Sequence, residues 1–296
     1  MKPILIFDGI DKQGKDTLIA EFHKATGYIY PVCNRFTLTS TCYGKYRKRP
    51  LPYSEYAKIN DKLASKAIIF YLKCGKEETI KRILKHDEKD IKESDINKLY
   101  KVYEDEFNNT SIPIVKIDTS KSISECIKTM KSFIKTWETN KLSLVYESIL
   151  NRITHKHKHN KFIGKEIINA ELEFDLKQAE AFNQIDYVEF NKRLHEYDAI
   201  VYGMKNEILT KKKIYDQHIN ESRQYVYTLN ACITSVQCLY RLGTLYFIVN
   251  MRSSDIKNYL PYDIAGLTYT AKILNRDIFK AADIKFKINI GSLHLK

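Results

Sequence analysis

At 296 residues and 34.7 kDa the chain exceeds one ordinary compact domain and suits two, each able to bury a core of its own. A hydrophobic content of 44% and a charged content of 29% exclude a disordered or fibrous chain, and no apolar run approaches the roughly 20 residues of a membrane span. The formal charge of +13 favours anionic partners, but lysine, isoleucine, asparagine and tyrosine are all abundant, so part of it is compositional background and no specific DNA binding is expected.

Taken in chain order, residues 3–8 form a short apolar run ending at a glycine, followed by a polar loop and the helical pattern Leu18, Ile19, Phe22. Strands are predicted at Ala67 to Leu72 and Ile112 to Ile117, and helices at Glu77 to Lys85, Glu93 to Phe107 and Ser122 to Trp137. Strands alternating with helices predict an α/β domain with a parallel sheet over residues 1–138. A polar break at Glu138 to Lys141 marks the boundary. The second domain runs from 142 to 296: Leu142 to Ile153 resumes a helical apolar pattern, and strand-like alternation follows at Glu166 to Phe174, Tyr225 to Leu229, Ser235 to Tyr240, Thr244 to Met251 and Lys285 to Ile290. Leu242-Gly243 reads as a hairpin turn and Leu267 to Leu274 as a helix, so the second domain is predicted to be α+β.

Gly9-Ile10-Asp11-Lys12-Gln13-Gly14-Lys15-Asp16 follows a strand and opens a helix, the context in which backbone N–H groups cradle phosphates. Lys15 would reach between the β- and γ-phosphates of ATP. The next residue is ordinarily a Ser or Thr that holds Mg2+; here it is Asp16, with Thr17 one place later. The carboxylate could hold the metal through water or repel the triphosphate. The plain alternative is a glycine turn with no ligand.

The wording Phe7-Asp8-Gly9-Ile10-Asp11 before Gly14-Lys15 resembles the thymidylate kinase family, whose loop commonly reads F-E-G-x-D-x-x-G-K. Asn34-Arg35-Phe36 is similar to that family's Asp-Arg-aromatic segment, which implies a contact from Arg35 to the acceptor monophosphate. Ile114 to Thr119 resembles the last core strand near the adenine, and Lys81, Arg82 and Lys85 stand where the family has a basic lid, or form a solvated face. The resemblance implies ATP with Mg2+ and phosphoryl transfer carried by Lys15 and Arg35, with Gly9, Asp11, Lys12, Gly14, Asp16 and Thr17 around the nucleotide.

In the second half the informative run is Asn230-Ala231-Cys232, then Gln237, then Arg252-Ser253-Ser254-Asp255, then Leu260-Pro261-Tyr262-Asp263-Ile264. Cys232 lies five residues before Gln237 and 20 before Arg252. This resembles thymidylate synthase and the related phage deoxynucleotide hydroxymethylases. The resemblance makes Cys232 the thiolate that adds to pyrimidine C6, so that C5 can attack a one-carbon unit carried by methylenetetrahydrofolate. Arg252 and Ser253 would hold the 5′-phosphate of a deoxynucleoside monophosphate, and Asp255 and Gln237 would line the site. His294, in Gly291-Ser292-Leu293-His294, resembles the histidine that binds the sugar 3′-hydroxyl, and Arg223 resembles one of a pair reaching into a partner subunit. The implied assembly is a homodimer through the second domain.

Asp263 stands where the synthases have asparagine and where hydroxymethylases acting on dCMP have aspartate. A carboxylate facing uracil O4 sets acceptor against acceptor, costing about 1 to 3 kcal/mol, so cytosine is the expected base. The family's folate-closing C-terminal segment has no counterpart in this sequence, nor does its proton-relay glutamate, for which Glu189 is the stand-in. His155, His157 and His159 alternate with Lys156 and Lys158, read as a solvated basic loop, a phosphate contact or a metal cluster. The six cysteines show no CxxC pairing, which suits a reducing cytoplasm.

The expectation is a phage-type bifunctional enzyme of pyrimidine deoxynucleotides, hydroxymethylating dCMP and phosphorylating a deoxynucleoside monophosphate. The alternatives are a kinase bearing a non-catalytic nucleotide-binding and dimerisation domain, thymidylate synthase activity on dUMP, and a nucleotide sensor with both sites degenerate.

Overall fold

The computed structural model describes residues 2–85, 93–155, 166–215 and 224–295. The chain divides into two compact units, the first holding residues 2–138 and 147–155 and the second residues 139–146 and those from 166 on. The predicted break at 138–141 is present: Asn140 is non-helical, and two helical segments meet there at a kink. The division into units is nevertheless not a single cut, since residues 147–155 return to the first unit, where Arg152 is buried in an ion pair with Asp61.

The first unit is a parallel sheet of four strands in the order β2-β1-β3-β4: β1 (Ile4–Asp8), β2 (Val32–Asn34), β3 (Ala67–Lys73) and β4 (Ile114–Asp118). Its helices are α1 (Lys15–Thr26), α2 (Thr37–Tyr46), α3 (Tyr53–Leu63), α4 (Lys76–Lys85), α5 (Glu93–Phe107) and α6 (Ile123–Thr154). In β3 every residue from Ala67 to Leu72 is buried, the uninterrupted apolar run of a strand covered on both faces. Ile6, Ile69 and Tyr71 pack on one side with Leu99, Tyr103 and Ile96 of α5 and Leu38 and Cys42 of α2. Phe7, Phe22 and Phe70 form a ring cluster between the sheet and α1. Neither β2, α2 nor α3 was predicted, because their short polar-rich segments carry no clear period.

The second unit is a mixed sheet in the order β5-β9-β8-β7-β6: β5 (Glu166–Asp175), β6 (Gln224–Thr228), β7 (Ile233–Arg241), β8 (Thr244–Asp255) and β9 (Asp283–His294). The β8–β9 pair is parallel and the others are antiparallel. Leu242 and Gly243, at φ 45° and 78°, make the predicted tight turn between β7 and β8. Leu245, Phe247, Val249 and Met251 alternate into the core beside Ile284, Phe286, Ile288 and Ile290. The helices are α7 (Leu176–Glu180), α8 (Tyr187–Tyr215) and α9 (Leu260–Leu274), the last continuing into a π-helical turn over Asn275–Phe279. Helix α9 packs on α7, α8 and β8. It begins seven residues before the predicted Leu267, since Pro261 occupies its first turn, where a missing N–H costs nothing. The first unit is thus α/β and the second α+β, as the patterning implied.

Candidate active sites

Strand β1 delivers the chain into the loop Gly9–Gly14, whose conformation depends on glycine at two points. Gly9 has φ 142°, and a Cβ there would overlap the Leu72 carbonyl oxygen. Gly14 has φ 79° at the mouth of α1. Lys15 is buried, and its Nζ donates to the carbonyls of Gly9 at 2.9 Å and Ile10 at 2.7 Å. Burial lowers its pKa to about 8, Arg35 adds to the depression, and Asp11, Asp8 and Asp16 oppose it.

The loop is buttressed from below. Gln13, fully buried, accepts from the Cys74 N–H at 2.9 Å and donates to Thr79 at 3.1 Å, tying the loop to the end of β3 and to α4. Asp8, also fully buried, accepts from the Gly9 N–H, from the Thr39 hydroxyl and N–H, and from Tyr103. Desolvation raises its pKa against those bonds.

Arg35 follows β2 in a left-handed conformation, φ 65°, and pairs with Asp11, whose other oxygen accepts from Tyr43 at 2.8 Å. Arg35, Asp11 and Lys15 are therefore brought together, as a phosphate site requires. Lys12 takes φ 62° in the same loop. Of the basic lid residues, Arg82 is committed to Glu78 and to the Thr119 carbonyl, which joins α4 to the end of β4.

Asp16 and Thr17 are exposed at the start of α1, and Asp16 Oδ1 accepts from Asn34 Nδ2 at 2.7 Å. Hard oxygen donors beside a phosphate cradle suit Mg2+, which takes one or two carboxylates and completes its shell with phosphate and water. The donor types of Asp16 and Thr17 fit that ion. Among the described residues no cluster of three His, Cys, Asp or Glu side chains is close enough to hold a metal by itself.

In the second unit Cys232 is exposed in the turn before β7, not sealed inside a strand. Its carbonyl accepts from the Arg252 N–H at 2.8 Å, so the two residues are cross-strand neighbours. A register shift between Ile233 and Ser235 breaks the ladder there, and Thr234 caps the turn through the Asn250 carbonyl and Leu229 N–H. Ser253 stands opposite Ser292 and Asp255 opposite His294 across the parallel β8–β9 pair. Two segments remote in sequence are thus joined. Gly291 makes that approach feasible, since a Cβ there would lie 2.8 Å from the Arg252 carbonyl oxygen.

Asp255 is buried and accepts from the N–H groups of Lys257 and Asn258, turning the chain toward α9. His294 contacts Ser292 at 3.3 Å, and its carbonyl accepts from Ile256. Gln237 is half-buried on β7, opposite Val226 and Ile248.

Asp263 sits in the first turn of α9, not in a surface loop. Its Oδ1 accepts from Tyr197 and its Oδ2 from Ser254, both at 2.9 Å. Burial pushes its pKa up to about 6 despite those bonds; Glu196 also raises it and Arg193 lowers it.

No protein-family model and no curated protein sequence matches the chain. Among solved structures it is similar to the YorR protein of Bacillus subtilis in complex with phosphorylated GDP, at 19% identity and TM-score 0.40 over 45% of this chain and 95% of that one. A deoxyadenosine kinase from M. mycoides, with dCMP and dCDP bound, is 16% identical at TM-score 0.31, over 45% of this chain and 99% of that one. Thymidylate synthase from phage T4 is 13% identical at TM-score 0.35, over 57% of this chain and 76% of that one. A deoxyadenosine kinase and a phage thymidylate synthase are thus among its structural likenesses.

One sequence expectation is overturned and others fall outside the described residues. Glu189 is no proton relay: it is partly exposed, bonded to Lys192 and Arg193, and those partners lower its pKa, which is opposite to what a relay acid needs. Arg223, and His157 and His159 with their intervening lysines, lie outside the described residues. Sequence reasoning missed Gln13, Thr39, Tyr43 and Tyr103 around the phosphate loop, and Tyr197 and Ser254 around Asp263. Ser254 stood inside the quoted Arg252 motif; Tyr197 had no local signal.

Proposed function

We propose that the chain is a two-unit transferase of pyrimidine deoxynucleotide metabolism. The observation that carries the first half is the glycine-bounded loop with Lys15 buried inside it and Arg35 and Asp11 at its rim. In this reading Lys15 leaves the Gly9 and Ile10 carbonyls for the β- and γ-phosphates of ATP, and Arg35 leaves Asp11 for the acceptor phosphate. In-line transfer then needs only positioning and charge neutralisation. Mg2+, held by Asp16 and Thr17, would supply further neutralisation of phosphate charge.

The second unit is proposed to act on dCMP. Arg252 and Ser253 hold the 5′-phosphate, His294 the sugar, and Asp263 the base. The Cys232 thiolate would add to C6 and make C5 nucleophilic toward the one-carbon unit that methylenetetrahydrofolate supplies; loss of the C5 proton with departure of tetrahydrofolate would leave an exocyclic methylene, to which water adds as the hydroxyl while the thiolate leaves C6. A homodimer through this unit belongs to the same proposal. The partly exposed, charge-paired Glu189 favours a second reading, in which this unit binds the monophosphate without turning it over.

Two assays test the proposal on the full chain. Diphosphate formation from ATP and a panel of deoxynucleoside monophosphates is expected, and is lost in Lys15→Ala. Tritium release from [5-3H]dCMP with methylenetetrahydrofolate is expected, and is lost in Cys232→Ser. Release from [5-3H]dUMP alone sinks the cytosine assignment, while dCMP binding with no release from either base establishes the second reading.

A further inference from the structure

We infer that Tyr197 is a positioning residue for base selection: with Ser254 it fixes the Asp263 carboxylate so that it accepts from an amino-bearing pyrimidine and rejects an oxo-bearing one. The inference rests on the proposed nucleotide site of the second unit. Tyr197 is 2% exposed, on α8, and its ring lies over the face of Gly266 on α9, where any Cβ would overlap the ring atoms. A glycine inside a helix ordinarily costs stability. Here it opens the notch that lets the Tyr197 hydroxyl reach Asp263 Oδ1 while Ser254, on β8, reaches Oδ2.

A carboxylate offers about four lone-pair sites, so two donors leave acceptor capacity on both oxygens and nothing to donate. With one donor from α8 and one from β8, the carboxylate plane cannot turn freely about its own bond. Cytosine presents an N4 amino donor to such a group; uracil presents the O4 acceptor, and acceptor faces acceptor. Burial and the neighbouring carboxylate raise the Tyr197 phenol far above its ordinary range, so its hydroxyl stays a donor. The other charged groups that bear on Asp263 are Glu196 and Arg193, both on α8, and Arg193 is itself stacked between the rings of Tyr259 and Tyr262 at 4.6 and 4.7 Å.

The test is Tyr197→Phe in the full chain, which keeps the ring over Gly266 and removes only the donor. Calorimetric binding of dCMP and dUMP is compared with wild type, and the Asp263 carboxyl is titrated by carbon NMR without nucleotide. The dCMP to dUMP affinity ratio is expected to fall about tenfold, as for loss of one hydrogen bond to a charged group. The titration midpoint should move upward from about 6, because a bond that favoured the charged form is gone. In an Asp263→Asn background Tyr197→Phe should leave the ratio unaltered. Should Tyr197→Phe fail to fold, Ser254→Ala makes the same two predictions from the opposite oxygen. A wild type that prefers dCMP with a ratio unchanged in the variants overturns the inference and spares the proposed site. A wild type that binds neither monophosphate overturns the site, and the inference with it.

Discussion

Lys15 holds its charge in a buried place, and that has a measurable cost. Its pKa falls from 10.5 to about 8, first through desolvation and then through Arg35. Below pH 8 folded and unfolded chains both carry the proton. Between about 8 and 10.5 the unfolded chain holds a proton that the folded chain has released, so the contribution of Lys15 to stability improves as pH rises across that window. Polyphosphate beside the amine reverses the shift. ATP binding at a pH inside the window should therefore take up a proton, seen as a dependence of the calorimetric enthalpy on buffer ionisation, and Lys15→Met should abolish the uptake. Asp263 works in the other direction: its pKa is raised from 3.8 to about 6, so its contribution is present below 3.8 and lost as pH rises through 6. Lys15, Cys232, Arg252 and Asp263 could be singled out as candidates from sequence because each sits in a short run of residue types at motif-like spacing. Tyr197 was not, because its partner lies on another element and nothing nearby in the chain marks it.

At the scale of elements, the pairing of Arg152 on α6 with Asp61 on α3 is nearly dry: the side chains are 4% and 6% exposed and Ser111 also donates to Asp61. Among the described residues, Arg152 Nε and Nη1 have no hydrogen-bond partner. Burial raises the Asp61 pKa and lowers that of Arg152, so each charge depends on the other. Arg152→Ala should destabilise the first unit by about 3 to 5 kcal/mol, since it strands a buried carboxylate. Replacing both, as Asp61→Leu with Arg152→Leu, should cost less than Arg152→Ala by chemical denaturation; a double variant that is the worse of the two would refute this. The α8–α9 contact offers a companion case. Gly266→Ala forces Tyr197 off its seat, and a loss of about 1 to 3 kcal/mol is expected in the second unit, as for other overpacked cores. The kink in α6 also belongs to this scale: the polar residues at 138–141 mark a break, and the non-helical Asn140 makes it, with Trp137 buried before it and Leu142 and Val145 buried after it.

At the scale of the whole molecule, each compact unit contains its own sheet and its own set of candidate groups, with Lys15, Arg35 and Asp11 in one and Cys232, Arg252 and Asp263 in the other. The two activities should therefore separate genetically. Lys15→Ala is expected to remove the proposed phosphorylation while leaving tritium release from dCMP within about twofold of wild type, and Cys232→Ser to do the reverse, since substitutions that share no partners usually act independently. Loss of both activities from either change would contradict that division. Among the described residues no helix is long and apolar enough to cross a membrane.

By itself the sequence determined most of the strands of both sheets, the strand–glycine loop–helix passage at residues 4–26 and the spacing of Cys232, Gln237 and Arg252, because apolar periodicity and motif spacing are local properties of a chain. Tertiary structure alone decided that Gly291 meets Arg252, that Gln13 reaches β3 and α4, and that Tyr197 grips Asp263 through the notch at Gly266. Those contacts form only when remote segments pack. Their residue types are set by the space and polarity that the neighbouring element leaves, which no window along the chain can register.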